Sequence, residues 1–494
     1  MTKVKSEDVP VLIVGAGPAG LMAAAVLAQH GVESLVVDRR ATRSRHPRAT
    51  TVTTRSMELV RSLGLEEAVL AGGVEVDWLM WRCETMAQAA DGMGIEVGLP
   101  TRAQAAVISP TAPACVPQDH LEGVLLAHLG GGGTARVEYA TTLAGLECRP
   151  DGVRAVLRTA GGDEREVSAR YLVGADGARS TVRNELGIAM RGSDDVLSGI
   201  TSRIRAPLWE ALGDLRYGIY AVNHADAEGL FLPAGPGDAW GYGYILDALV
   251  REPELPNHEQ LTERIRLAAG IPDLPVTIER LGSFSSAAQL ADSFRRDRVF
   301  LVGDAAHRVT PRGGTGMNTA LHDGYDLGWK LAWVMNGWAS PALLDSYELE
   351  RRPVAAHNVA RSADPDGTVR AAEEELRVDL GGRIAHHQVT TPDGRVSTLD
   401  LLGPGLTLLT APGGEWRSAA QAATPGLPLA VHGLDEITAR AMGIGTAGAL
   451  LVRPDGIPAA WWLRAGANPG AELDAAIVDL CSPGGAATTT SHAA

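Results

Sequence analysis

Gly15, Gly17 and Gly20 follow the apolar run Val11-Leu12-Ile13-Val14, and Asp38 closes the next apolar run, Ser34-Leu35-Val36-Val37. Pro18 and Ala19 complete the turn, and a helix is expected from there to about His30. In this strand–G-x-G-x-x-G–helix order the glycines permit a tight turn, close backbone approach to a pyrophosphate and close helix–strand contact. The unpaired N–H groups at the helix start favour the phosphates, and Asp38 is placed to accept hydrogen bonds from a ribose. The chemistry implied is dinucleotide binding.

Two later segments repeat the pattern of a buried strand ending in Gly and Asp. Tyr171-Leu172-Val173 runs into Gly174-Ala175-Asp176-Gly177-Ala178-Arg179-Ser180, and Val299-Phe300-Leu301-Val302 runs into Gly303-Asp304-Ala305-Ala306-His307. Asp176 also reads as a cap for the turn after it. His307 is expected to serve packing or a backbone hydrogen bond. A glycine-rich loop follows, Thr310-Pro311-Arg312-Gly313-Gly314-Thr315-Gly316-Met317-Asn318, opening a helix expected from Gly316 through Val334.

The elements that must position these residues read as follows. Arg55 to Leu65 is an amphipathic helix, and about 75–112 reads as strands and loops. Leu121 to Leu129 is helical, and three strands up to Ala169 form an antiparallel meander. From about 190 to 285 the pattern is strand-like, with a helix at about 258–269. Leu343 to Asn358 and 371–378 are helical. Leu406–Leu409 and Ala449–Val452 are strands of a smaller C-terminal unit. Pro483 to Ala494 has the composition of a disordered tail.

The chain has 494 residues, 45% hydrophobic and 21% charged, as in a globular protein of several domains. A formal net charge of −15 argues against nucleic-acid and anionic-membrane partners. The four cysteines, Cys83, Cys115, Cys148 and Cys481, form no C-x-x-C, so neither a zinc site nor a redox dithiol is indicated, and no metal site is expected. No leader or membrane span is recognised, which gives a cytoplasmic, soluble expectation.

Taken together, the three Gly/Asp segments, in this order and spacing, resemble the class A FAD-dependent aromatic monooxygenases, the fold of p-hydroxybenzoate hydroxylase, over about residues 9–360. The C-terminal region resembles the thioredoxin-like extension of the aromatic polyketide hydroxylase branch. The resemblance implies an α/β fold: a Rossmann-like FAD-binding domain (1–76, 105–188 and 280–365), an inserted sheet-rich substrate domain (77–104 and 189–279) and a thioredoxin-like αβ domain (395–482), with 483–494 as the tail. It implies FAD held by Gly15, Gly17, Pro18, Ala19, Gly20, Asp38, Arg39, Arg48, Gln118, Asp176 and Asp304. Pro311, Gly313, Gly314, Thr315, Gly316, Met317 and Asn318 would face the flavin, with backbone N–H groups and the helix dipole favouring the anionic reduced ring. Thr310, where many members have Pro, and Arg312 depart from the family pattern.

No second strand–G-x-G-x-x-G–helix unit occurs, which fits a nicotinamide cofactor that docks transiently. The implied reaction is NADPH- or NADH-driven hydroxylation of a phenolic, polyketide-like small molecule by O2 through a flavin C4a-hydroperoxide. Baeyer–Villiger oxidation, epoxidation and a non-catalytic flavin module stay open as alternatives. A monomer or homodimer is expected. No protein nucleophile is required. In the substrate region Tyr217, Tyr220, His224, Trp240 and Tyr242 are the pocket candidates, each also readable as a core or strand-pairing side chain.

Overall fold

The computed structural model describes residues 6–44, 49–246, 254–392, 394–422 and 426–482. Arg48 and the 483–494 tail lie outside the described residues.

Val11, Leu12 and Ile13 are fully buried because their strand, Ser6–Val14, sits in the middle of a parallel sheet covered on both faces. It pairs in parallel with Ser34–Val37 on one side and with Glu164–Gly174 on the other, and Val299–Leu301 continues the sheet beyond. Tyr171–Gly174 is therefore the end of one long strand. That strand pairs antiparallel with Val153–Thr159 through its first half and parallel with Val299–Leu301 through its second. Of the expected meander, Thr141–Cys148, Val153–Thr159 and Glu164–Gly174 are antiparallel neighbours. Ala135–Glu138 instead pairs in parallel with Ser34–Val37.

Two helices pack on this sheet and on each other, Pro18–Gln29 and Gly316–Met335. Their contact is too close for side chains: a Cβ on Gly324 would lie 2.3 Å from the Ala19 carbonyl oxygen, and one on Gly328 would lie 2.9 Å from Val26 Cβ. The small residues bring the two helix N-termini to the same end of the sheet.

A second eight-stranded sheet comes from distant parts of the chain. In spatial order its strands are His307–Arg308, Thr277–Ala291, Met190–Arg205, Ala239–Leu246, Gly229–Pro233, Tyr217–Val222, Asp77–Cys83 and Met93–Glu96. The helix His258–Ala269, capped by Asn257 and Gln260, covers its far face together with a cluster around Tyr220, Phe231 and Trp240. Within the stretch read as strands and loops lies a helix, Arg102–Ile108, announced by the capping box of Thr101 and Gln104. The helix expected at 343–358 is Ser346–Ala363, preceded by a 3-10 turn over Pro341–Asp345.

The C-terminal residues build a four-stranded sheet in the order Leu429–Gly433, Leu406–Thr410, Ala449–Val452, Pro458–Trp462, in which only the first pair is parallel. It shares an apolar core with the larger body through Leu406, Leu408 and Leu451, and is joined to it by charge as well. Arg383 bridges to Glu58 at 2.7 Å, Arg61 to Asp400 at 2.7 Å, and Arg453 to Glu350 at 2.7 Å.

Candidate active site

One cavity of about 980 Å³ lies between the two large sheets, at the top of the roughly 300–1,000 Å³ that single-ligand pockets span. Its first wall is the turn after the Ser6–Val14 strand. Gly15 adopts φ +115, and its N–H donates to Val37 O at 2.7 Å. Gly20 lets the helix rest on that turn, since a Cβ there would fall 2.0 Å from Gly15 O. Gly17 is different: a Cβ on it would meet nothing within 4 Å, and Gly17, Pro18 and Ala19 all line the cavity. Gly17 is the N-cap of the Pro18–Gln29 helix, and neither a capping side chain nor an acid sits in its first turn. An open, electropositive concavity results.

Asp38 is buried at the rim of this concavity. Its Oδ2 accepts from Ala16 N–H (2.9 Å) and Arg40 Nη2 (2.8 Å), and its Oδ1 from Arg40 N–H (2.9 Å) and Nε (3.0 Å). Burial pushes the carboxyl up, but the Arg40 and Ala16 hydrogen bonds together hold it below its ordinary value. Arg40 is thus the guanidinium on Asp38; Arg39, expected beside the ribose, is exposed and lines the cavity.

Asp176 lines the cavity and caps the helix Thr181–Glu185, accepting from Thr181 N–H (2.6 Å) and Val182 N–H (3.1 Å). Burial raises its pKa against these bonds. Gln118 also lines the cavity and donates to Glu122 Oε1 at 2.7 Å. Asp304 projects exposed from a 3-10 turn over Gly303–Ala305 and makes no hydrogen bond or ion pair with a described residue. That turn is fixed from below by Asp323, which the sequence motifs above do not include. Asp323 accepts from Gly303 N–H (3.1 Å) and Arg351 Nε (2.9 Å), and pairs with His307 Nε2 at 2.6 Å. His307, expected to pack or to bond to backbone, is bound to a carboxylate.

The loop before the Gly316–Met335 helix has consecutive left-handed residues, Gly313 (φ +77) and Gly314 (φ +64), which only glycine adopts readily. Pro311, Gly313, Gly314, Gly316 and Met317 line the cavity. Thr315 and Asn318 do not. Asn318 is a staple: it donates to Thr51 O (3.0 Å) and Gly314 O (2.9 Å) and accepts from Thr53 N–H (2.9 Å). The two unusual residues anchor the loop to the end of the Ser346–Ala363 helix. Thr310 Oγ1 donates to Ser362 O at 2.8 Å, and Arg312 Nη1 reaches the same carbonyl at 3.3 Å.

The opposite wall is the second sheet. Alternation decides its lining: Trp78, Met80 and Arg82, then Ile219, then Leu230 and Leu232, then Gly241, Gly243 and Ile245 face the cavity. The aromatic candidates mostly take the other parity. Tyr217 stacks on Trp81 at 4.3 Å, Tyr220 donates through its hydroxyl to Leu215 O, and Trp240 packs against Trp209 at 4.4 Å. None of the three lines the cavity, nor does His224, whose Nδ1 accepts from Asp226 N–H in a turn. Tyr242 borders the cavity, but its ring lies 4.7 Å from Phe231 in the far-side cluster. Tyr244 borders it as well, and apart from Thr201, Arg82 and Arg203 the wall is largely apolar and bare at its two glycines.

Asp326, Glu350 and Asp455 also converge, but Lys330 Nζ lies 2.8 Å from Asp326 and 3.0 Å from Glu350, and Arg453 binds Glu350 and Asp455. Two cations already occupy the place a metal would take.

Comparison with known proteins follows the same lines. Residues 8–362 match the FAD binding domain family, and residues 378–483 match the aromatic-ring hydroxylase C-terminal family. The tetracenomycin A2 monooxygenase-dioxygenase of Streptomyces glaucescens is 34% identical, over 92% of this chain and 93% of that one. The aklavinone 12-hydroxylase RdmE of Streptomyces purpurascens is 33% identical, over 92% and 95%. The crystal structure of a ternary complex of aklavinone-11 hydroxylase with FAD and aklavinone superposes with a TM-score of 0.85 at 30% identity, covering 97% of this chain and 99% of that chain.

Proposed function

The chain belongs to the family that joins an FAD-binding domain to an aromatic-ring hydroxylase C-terminal domain, and from that premise we propose that it hydroxylates an electron-rich, polycyclic phenol of polyketide type. The observation that carries the reading is the single cavity bounded by two helix N-termini on one side and an apolar sheet wall on the other. NADPH or NADH supplies two electrons, one atom of O2 enters the substrate and the other leaves as water.

The residues suit FAD. The open space beside Gly17 and the first turn of the Pro18–Gln29 helix would take the pyrophosphate. All four acceptor positions of Asp38 are engaged, so a ribose would take its place there by displacing part of Arg40. Asp304, without a side-chain partner among the described residues, is free to accept from a ribityl hydroxyl. When bound and reduced, the flavin supplies the activation of oxygen. The protein's part is to present donors and exclude water. Gly313 and Gly314 let the backbone approach a planar ring, and the start of the Gly316–Met335 helix adds its positive end. Thr310 and Arg312 hold that loop to Ser362, so it is set before a ligand arrives. The sheet wall would hold the ring system flat across Gly241 and Gly243.

The C-terminal sheet, with its parallel strand pair, two antiparallel additions and flanking helices, supports a thioredoxin-like extension whose role is structural. The expected setting is the cytoplasm, as a monomer or homodimer, without membrane or nucleic-acid partners; among the described residues no helix is long and apolar enough to cross a membrane. Stopped-flow reduction of the FAD-bound protein by NADPH, without oxygen, tests the functional reading. Acceleration by polycyclic phenols is the expected result; a rate indifferent to every such ligand would contradict it.

A further inference from the structure

The cavity-facing side of the second sheet carries two arginines, and they are not equivalent. Arg203 is neutralised by Asp119 at 2.9 Å and Glu279 at 3.2 Å. The Arg82 guanidinium has no hydrogen bond or ion pair with any described residue. Along its strand exposure rises from Trp78 (0%) through Met80 (8%) to Arg82, which stands exposed at the open end of the wall. Its cross-strand neighbour is Ala221, then Leu230, then Gly243. No carboxylate occupies any of these positions. The chain as a whole carries −15, yet this surface offers a cation that no described residue compensates, beside a largely apolar floor.

We propose that Arg82 is a specificity-determining residue: it binds a carboxylate at the end of the substrate's ring system, the rings lying across Leu230 and Gly243 toward the flavin. The inference rests on the hydroxylase reading above and narrows its substrate class to polycyclic acids. A planar guanidinium matches a carboxylate with two parallel hydrogen bonds. Arg82 sits where water reaches, so a phenol there would keep its ordinary pKa near 10 and stay neutral, whereas a carboxylate is ionised unaided. From Arg82 to Thr201, opposite Gly243, the floor crosses four strand spacings of about 4.8 Å each, long enough for several fused rings.

The test is titration of the FAD-bound protein at pH 6, where the carboxylate is ionised and the hydroxyl is neutral, read by flavin absorbance, with anthraquinone-2-carboxylate, anthraquinone-2-carboxamide and 2-hydroxyanthraquinone. The carboxylate should bind about tenfold or more tighter than the other two, as expected for hydrogen bonds to a charged group. Arg82→Gln should remove that preference while leaving amide affinity and FAD content unchanged, and Arg82→Lys should restore part of it. Equal binding of the acid and the amide by the parent protein would overturn the proposal. So would a preference that survives Arg82→Gln, or a bound flavin that responds to none of the three. Failure of the hydroxylase reading itself would show separately, as FAD-bound protein whose reduction by NADPH is indifferent to every polycyclic phenol.

Discussion

Gly15 and Ala175 lie so close that a Cβ on the glycine would fall 2.2 Å from the Ala175 carbonyl oxygen, and Gly15 has φ +115. The two dinucleotide-type turns are therefore locked to each other by the absence of a side chain. Gly17, two residues on, touches nothing on its Cβ side. The two glycines separate folding from binding. Gly15→Val should cost about 3 kcal/mol or more through overpacking and backbone strain. Gly17→Val should leave the thermal midpoint of the FAD-free protein unchanged and weaken FAD binding by about tenfold or more. Calorimetry and FAD titration of both variants check this; equal effects on stability would contradict it.

Asp323, itself with no exposure, holds His307, Arg351 and the Gly303 turn. Replacing it with Asn leaves a buried guanidinium without its counter-charge. Asp323→Asn should cost about 3–5 kcal/mol in urea unfolding. A loss below about 1 kcal/mol would place the pair among solvent-screened contacts instead.

Asp379 accepts the Arg55 N–H at the start of the Thr54–Ser62 helix. Burial, reinforced by the Glu58 charge, pushes its carboxyl up to about 6 from an ordinary 3.8, against hydrogen bonds from Thr53 and Arg55. Between those two values the native state keeps a proton that the unfolded chain has released. Its contribution to stability therefore falls as pH rises through this window and stays lost above it. Asp379→Asn removes the titration. The thermal midpoint of the variant, relative to the parent, should rise from about pH 4.5 to about pH 7. A difference that is flat across this range would show that Asp379 titrates at its ordinary value.

Arg453 binds Glu350 and Asp455 and lies over Trp329 at 5.1 Å, so it ties the C-terminal sheet to the Gly316–Met335 helix. Arg453→Met should lower the thermal midpoint by several degrees, because three carboxylates would then share Lys330 alone. Treatment with EDTA should leave the midpoint of the parent protein in place. A drop with EDTA, reversed by a divalent ion, would mean that a metal holds the cluster.

What the sequence made legible was local. The glycine turn, the strand before it and Asp38 are set by neighbours within one supersecondary unit, and so are the ends of the His258–Ala269 and Gly316–Met335 helices. The substrate wall was not legible in the same way. Residues 217–246 alternate clearly, but alternation does not say which parity meets the cavity, and aromatic size pointed to the face that packs against the His258–Ala269 helix. Much of the lining comes from the plainer residues between them, Ile219, Leu230, Leu232, Gly241 and Gly243, with Tyr242 and Tyr244 at its border. The role of Arg40 was not legible, because its side chain returns to Asp38 two residues back, a turn geometry that composition does not encode. Asn318, placed by its motif beside the flavin, is spent on holding Thr51, Thr53 and Gly314 in place.

The most direct measurement is turnover with NADPH and a polycyclic phenol under labelled dioxygen, with the product analysed by mass and ring connectivity. The account predicts one labelled oxygen atom on an intact aromatic ring, with NADPH consumed in step with product. NADPH oxidation that yields only hydrogen peroxide, or a product whose added oxygen comes from water, would contradict it.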